Sequence, residues 1–277
     1  MDTEKIQVVK SSGEKADFSI SKLRSSLYHS GADEQTVTTI INKVRDELYQ
    51  GISTKEIYNR AFALLKKRKS IYAAKYKLKK AIYELGPTGF PFEKFIGALL
   101  TYSGYEVKTG KILQGKCVSH EVDVIAIKKE QHIVAECKFH SEKTTTCNVK
   151  VPLYIHSRYQ DILAQYKNTK ARPTEGWVVT NTRFTTDAIT YGHCMGLYLL
   201  SWDYPKENGL KDRIDRLGLY PITVSTLMTK REKQFLLSRN IVLCRQLADD
   251  TFYLDHLGIS EIRKKKILSE VEMLCNT

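Results

Sequence analysis

No CxxC pair occurs in the sequence, and the six cysteines (Cys117, Cys137, Cys147, Cys194, Cys244, Cys275) are scattered. That spacing speaks against a zinc ribbon or a disulfide framework and reads as reduced structural thiols. No apolar run reaches transmembrane length, which excludes a helical span. Met1-Asp2-Thr3-Glu4-Lys5 lacks the apolar h-region of a signal peptide. Together these absences read as a cytoplasmic protein. Acidic residues are also scarce, 31 Asp and Glu against 44 Lys and Arg, giving a formal net charge of +13. Such an excess suits a polyanionic partner such as nucleic acid better than a small neutral substrate. At 277 residues the chain is long for one domain, so two or three are expected.

What is present centres on His120-Glu121-Val122-Asp123-Val124-Ile125-Ala126-Ile127 and His132-Ile133-Val134-Ala135-Glu136-Cys137-Lys138, separated by the charged stretch Lys128–Gln131. Both read as strands of β-branched and apolar residues joined by a turn. Alternation sets Glu121 and Asp123 on one face of their strand, and Glu136 with Lys138 on one face of theirs. If the strands pair, three carboxylates and one ammonium converge on a small patch. A phosphodiester hydrolase needs such a patch. Its carboxylates hold Mg²⁺, which polarises the phosphoryl group and activates water, and its lysine orients the nucleophile or stabilises developing charge. A hairpin with ordinary surface charges explains the turn but not the carboxylates set among apolar residues.

Asp123 followed by Glu136-Cys137-Lys138 resembles the D…(D/E)-x-K core of the restriction-endonuclease-like superfamily. Phe92-Glu93-Lys94-Phe95, Gly104-Tyr105-Glu106-Val107, Gly176-Trp177-Val178-Val179-Thr180-Asn181 and Phe184-Thr185 are similar to its Mrr-like branch. The resemblance implies a Mg²⁺-dependent endonuclease acting on double-stranded DNA. In it Asp123 and Glu136 bind metal, Lys138 contacts the nucleophile or phosphate, and Glu121 and Glu93 assist. A first-turn capping role fits Glu93 equally well. The implied domain covers 87–205, a mixed sheet flanked by helices. Within it a helix runs from Phe92 to Tyr102 with Phe92, Phe95, Ile96, Leu99 and Leu100 on its apolar face, and a first strand lies at Tyr105–Val107. Val149–Arg158 mixes aromatic and basic residues and suits either a nucleic-acid groove or a helix start at Pro152. A further helix is expected near Asp161–Tyr166, with Gln165 loosely tied to the site. His120 and His140 bracket the carboxylates, each more in keeping with a polar strand end than with catalysis.

Residues 1–86 read as a small α+β unit: a strand at Ile6–Lys10, a turn at Ser11–Glu14, a return strand at Ala16–Phe18, then helices. Ser19 or Ser21 caps the first helix. The second begins after Asp33 and ends against Gly51, and Ser53-Thr54-Lys55-Glu56 forms a capping box for the third. The ordered set Val8-x-Lys10-x-x-Gly13, Phe18-x-Ile20-x-Lys22-Leu23, Tyr49-x-Gly51-Ile52-Ser53-Thr54-x-Glu56-Ile57 and Ala73-Ala74-x-Tyr76 resembles the ATP-cone. That resemblance implies ATP or dATP binding, with Lys10 and Lys22 on the phosphates and Leu23 and Thr54 beside the nucleoside. Ser11, where the family commonly has arginine, is a departure.

Residues 206–277 read as a small helical module opened by the capping box Thr229–Glu232. A helix covers Cys244–Asp249, and a final helix carries Ile262, Ile267, Val271 and Leu274 on one side and Arg263–Lys266 at its start. Its turn Leu257-Gly258-Ile259-Ser260 resembles a helix-hairpin-helix; a bundle for self-association weighs equally. The overall expectation is α/β (α+β) and multidomain: an ATP-cone at 1–86, a restriction-endonuclease-like domain at 87–205 and a helical module at 206–277, acting as a homo-oligomer that cleaves DNA under adenine-nucleotide control. The alternative is a nucleotide-responsive DNA-binding regulator without cleavage.

Overall fold

A computed structural model describes residues 6–276, so the leader expectation at Met1–Lys5 lies outside the described residues. The protein is mixed α+β, and its described residues divide into two compact units, 6–79 with Val224–Met228 and 80–223 with 229–276. Among the described residues no helix is long and apolar enough to cross a membrane.

The first unit opens with an antiparallel pair, β1 (Gln7–Val9) and β2 (Lys15–Asp17), turned through Gly13 at φ +84°. Four helices follow: α1 (Ile20–His29), α2 (Glu34–Asp46), α3 (Thr54–Arg68) and α4 (Ser70–Tyr76). Ser19, Asp33 and Ser53 each accept a backbone N–H of the first turn, so the capping serine of α1 is Ser19. The capping box at Ser53 is only half formed, because Glu56 turns instead to Tyr49 and Arg60. α2 stops at Asp46, short of Gly51. Gly51 sits in the following turn at φ +82° and donates to Gln7 O, which ties this turn to β1. Leu27, Val37, Ile40, Ile52, Ala61 and Leu65 close the core. Residues 224–228 belong to this unit, with Lys66 Nζ donating to Thr226 O.

Helix α5 (Leu78–Tyr83) leads to the second unit, whose centre is a five-stranded sheet in the order β3-β4-β5-β6-β7. Its strands are β3 (Glu106–Gln114), β4 (Ser119–Lys128), β5 (Gln131–Lys138), β6 (Glu175–Thr180) and β7 (Tyr198–Leu200). The first three pair antiparallel and the last three parallel. The parallel pairings need helical crossovers, supplied by α7 (Lys150–Gln165) and α8 (Thr186–Cys194). Ahead of the sheet, α6 (Phe90–Tyr102) buries Phe92, Phe95, Ile96, Leu99 and Leu100, as its apolar spacing predicts. Gly97 lets it approach closely, since a Cβ there would lie 2.9 Å from Thr109 Cγ2. Residues Ile133–Ala135 are all buried, which a sheet covered on both faces requires.

Two expectations within this unit change. The segments at Val149–Arg158 and Asp161–Tyr166 are one continuous helix, α7, with Pro152 in its first turn where the missing N–H costs nothing. The first strand runs nine residues rather than three, because Gly110 at φ +58° lets it bend without ending.

The residues after β7 form a helical region that groups with the sheet unit, apart from the short stretch assigned to the first unit. They comprise α9 (Leu210–Leu217), a 3₁₀ turn (Ile222–Val224), α10 (Lys230–Ser238), α11 (Cys244–Asp249), α12 (Phe252–His256) and α13 (Glu261–Cys275). Tyr102 OH donates to Asp249 Oδ2 at 2.6 Å, and Thr223 Oγ1 to Ala81 O at 2.6 Å, so this stretch packs into the second unit. The box at Thr229 and Glu232 is complete in both directions. Ile267, Val271 and Leu274 are buried, but Ile262 is 74% exposed, because the first turn of α13 projects beyond the core.

Candidate functional site

The site lies where two strands part. β4 and β5 form a ladder from Lys128↔Gln131 to Val124↔Ala135, and there it stops. Beyond that pair, β4 continues along β3 and β5 continues along β6 as far as Lys138↔Thr180. At the fork, Asp123 Oδ2 accepts the N–H of Cys137 at 2.7 Å, standing in for the next ladder bond. On its other side, the β3–β4 pairing skips the step opposite Asp123, where Gly110 sits, and resumes in the same register at Lys111↔Val122. A Cβ on Gly110 would meet nothing within 4 Å, so its backbone angle, not crowding, requires glycine. The kink also breaks side-chain alternation. Val122 and Ile125, three residues apart, join one apolar cluster with α7 and α8, where unbroken alternation would separate them.

Into this fork come carboxylates from three elements. Glu136, on β5, is held by two cations: Lys138 Nζ donates to its Oε1 at 2.6 Å and Arg158 Nη1 to its Oε2 at 2.7 Å. Arg158 also donates to the carbonyl oxygen of Glu121. Glu93 enters from the first turn of α6, whose buried face fixes its rotation. Burial and then the charges of Asp123, Glu136 and Glu121 push its carboxyl up to about 7. Burial and Glu136 push Asp123 up to about 6, against the opposing pull of the Cys137 amide, Lys138 and Arg158. The five residues singled out from sequence are therefore brought to one region: Glu93 feels Asp123, Glu136 and Glu121, and Lys138 acts on Asp123 and Glu136. Glu121 is the outlier, exposed and bound through its backbone.

The residue that sequence reasoning did not single out is Arg158. Within α7 the buried stripe is Ile155, Tyr159 and Ile162, and Arg158 occupies the i+3 place in that stripe. An arginine at a core position of an amphipathic helix is a readable sign of a buried partner. Its side chain is 15% exposed and that of Glu136 12%, beside an apolar recess lined by Val122, Val134, Ile155, Tyr159 and Ile162.

Carboxylates gathered at one fork, two of them, Glu93 and Asp123, pushed up by burial and by their neighbours, suit a hard divalent cation, which would relieve the repulsion. Yet among the described residues no three His, Cys, Asp or Glu side chains stand close enough together to hold a metal. Both oxygens of Glu136 are engaged by protein cations, and one oxygen of Asp123 by an amide. The donor set is present without being assembled.

The flanking histidines do other work. His120 Nε2 pairs with Asp161 Oδ2 at 2.8 Å, and Asp161 also accepts the amides of Cys117 and Val118, which fastens the β3–β4 loop to α7. That pairing holds the Asp161 carboxyl well below its usual range. His140 is clasped through its backbone by Asn181, while its Nε2 is buried without a hydrogen-bond partner among the described residues. Burial, then Lys138, lowers its imidazole pKa. Gln165 lies exposed in the last turn of α7, two turns past Arg158.

In the first unit, Val9 bridges Ser53 and donates to Ile52 O, so Lys10 and Thr54 follow from adjacent backbones. Lys10 Nζ rests on Glu14 Oε2 at 3.0 Å in an exposed pair. Lys22 and Leu23 share the first turn of α1, Lys22 donating its N–H to Ser19 Oγ and Leu23 turning into the core. The basic start of α13 is less available than the sequence suggests. Arg263 makes a two-pronged pair with Glu232, at 2.5 and 2.7 Å, and Lys264 pairs with Asp255. Lys265 and Lys266 remain exposed.

The molecule is thus a small α+β unit followed by a mixed-sheet unit with a carboxylate fork. The family model of the ATP cone domain matches residues 6–84, and that of the AF1548-like C-terminal domain matches residues 220–275. An uncharacterized protein of Archaeoglobus fulgidus is 32% identical over 175 residues, 63% of this chain and 96% of the relative. The crystal structure of AF1548, solved as a protein of unknown function, is similar at 28% identity and a TM-score of 0.56, covering 68% of this chain and 99% of its own. The chain belongs to the same family as this archaeal protein, with an ATP-cone domain at residues 6–84 that points to nucleotide binding.

Proposed function

We propose that the protein is a metal-dependent endonuclease of the restriction-endonuclease-like, Mrr-like kind, acting on double-stranded DNA and controlled by ATP or dATP at its ATP-cone. The gathering of Glu93, Asp123 and Glu136 at the β4–β5 fork, with Lys138 donating to Glu136, carries this reading. Asp123 and Glu136 would hold Mg²⁺, with Glu93 and Glu121 beside them. A bound Mg²⁺ supplies Lewis-acid polarisation of the phosphoryl oxygen and a more acidic water. The chain's own residues then divide the remaining work. Lys138 places an ammonium where negative charge develops, and the Cys137 amide fixes one oxygen of Asp123. The net charge of +13 draws the polyanion toward the protein. Lys10 and Lys22 bear the nucleotide phosphates, with Leu23 and Thr54 beside the nucleoside. Control requires that nucleotide favour one of two states of the protein, conformational or oligomeric.

The engagement of both Glu136 oxygens by protein cations supports a second reading, a nucleotide-responsive DNA-binding regulator that does not cut. Plasmid DNA incubated with the protein and Mg²⁺, with and without ATP and dATP, separates the two. Nicking or linearisation that vanishes in Glu136→Ala supports the nuclease. DNA retention without any strand break would overturn it in favour of the regulator.

A further inference from the structure

Resting on the nuclease reading of the fork, we propose that Arg158 is a positioning residue: a resident counter-ion that occupies Glu136 until a divalent cation displaces it, and that is thereby freed to meet a substrate phosphate. Three observations carry this. Arg158 holds the Glu136 oxygen that Lys138 does not, so the carboxylate is fully engaged by protein cations. Its other nitrogen takes the Glu121 carbonyl, so the guanidinium spans the open fork from α7. On its outer side lies the ring of Tyr154, 5.5 Å from the guanidinium carbon and itself 59% exposed. The guanidinium thus sits between a largely buried anion and a solvent-facing aromatic.

A purely structural ion pair would look similar on one side but differs in its consequences. A structural pair has no reason to engage the carboxylate on which a cation would depend. Here the two cannot coexist unchanged, because a metal on Glu136 must take an oxygen now donated to by Lys138 or Arg158. Arg158 is the better candidate to leave: a guanidinium is planar, weakly hydrated and suited to bidentate phosphate contacts. Lys138, two residues along the same strand, stays beside Glu136 without any movement of a second element.

The test is Mn²⁺ binding, read by the paramagnetic signal of the free ion, in the full chain and in Arg158→Met. Methionine keeps a long side chain against the apolar recess while removing the charge, and thermal melting checks that the variant folds. A hydrogen bond to a charged group shifts an equilibrium about tenfold or more, so Arg158→Met is expected to bind Mn²⁺ about tenfold more tightly. Arg158→Lys, which keeps the charge, is expected to stay near the parent affinity. Affinity for a short DNA duplex should fall in Arg158→Met with Ca²⁺ present and stay unchanged without it. Equal Mn²⁺ affinities in parent and Arg158→Met would overturn the counter-ion role while leaving the cation site standing. Absence of Mn²⁺ binding in both proteins would overturn the cation site, and the counter-ion role with it. Binding in Arg158→Met alone would support the counter-ion role in its strongest form.

Discussion

Two acidic sites in the same unit have opposite characters. At the far end, Glu232 meets Arg263 in a two-pronged pair and receives the Thr229 cap, and its carboxyl is held down at about 2, Arg263 first among the causes. At the fork, Glu93 and Asp123 are pushed up to about 7 and about 6. The first is a satisfied charge that secures a helix start. The second is a concentration of like charge that the fold tolerates with too few partners. Proteins keep such frustration mainly where a ligand or a reaction uses it, which is why the fork, and not the tidier pair, is the candidate site.

The sharpest way to break this contrast is chemical. Asp123→Ala, Glu136→Ala and Lys138→Ala are each expected to lower Mg²⁺-dependent cleavage by about 10²-fold or more, while DNA retention on a filter persists. Glu232→Gln should leave cleavage within a few-fold of the parent, and a loss matching Glu136→Ala would erase the distinction. Next in size is nucleotide binding: Lys10→Ala with Lys22→Ala should abolish calorimetric heat with ATP and dATP while metal-dependent cleavage remains. Heat unchanged from the parent would dissociate those lysines from the phosphates.

Stability against pH sharpens the comparison further. Glu93 and Asp123 have folded-state pKa values above their ordinary ones. They therefore bind more protons folded than unfolded, and their stabilising contribution is full below about pH 4 and fades by about pH 7. Glu232 runs the other way. Its contribution is present above its ordinary range and is lost as pH falls toward about 2. In cation-free buffer, Glu93→Gln with Asp123→Asn should flatten the decline in melting temperature between mildly acidic and neutral pH. Glu232→Gln should lower the melting temperature at neutral pH and leave that slope intact. Smallest of all, Lys265→Ala with Lys266→Ala should weaken duplex binding modestly and reduce the salt slope by roughly 1 to 2. An unchanged slope would remove α13 from the DNA contact.

Much of this architecture was legible beforehand, because its signals are local. The apolar stripe of α6, the caps at Asp33 and Thr229, and the two strands around the charged turn each follow from residues within one or two turns of one another. The carboxylates were legible too, because acidic residues inside apolar strands conflict with burial. The fork was not. Residue type does not announce that a ladder stops at Val124, and a glycine inside a strand, as at Gly110, reads equally well as the strand's end. Nor were the contacts between the C-terminal helices and the sheet unit, such as Tyr102 with Asp249, because they join residues far apart in sequence.

The Asp161 clasp gives the protein a built-in gauge. Asp161 holds the Cys117 and Val118 amides, and it lies three residues from Arg158 on the same helix. Any shift of α7 that carries Arg158 outward must slacken those amides or drag the loop along. Their hydrogen-exchange rates would therefore register events at the fork from outside it. The exposed thiol of Cys117 offers a place for a fluorophore that would follow the same motion in real time.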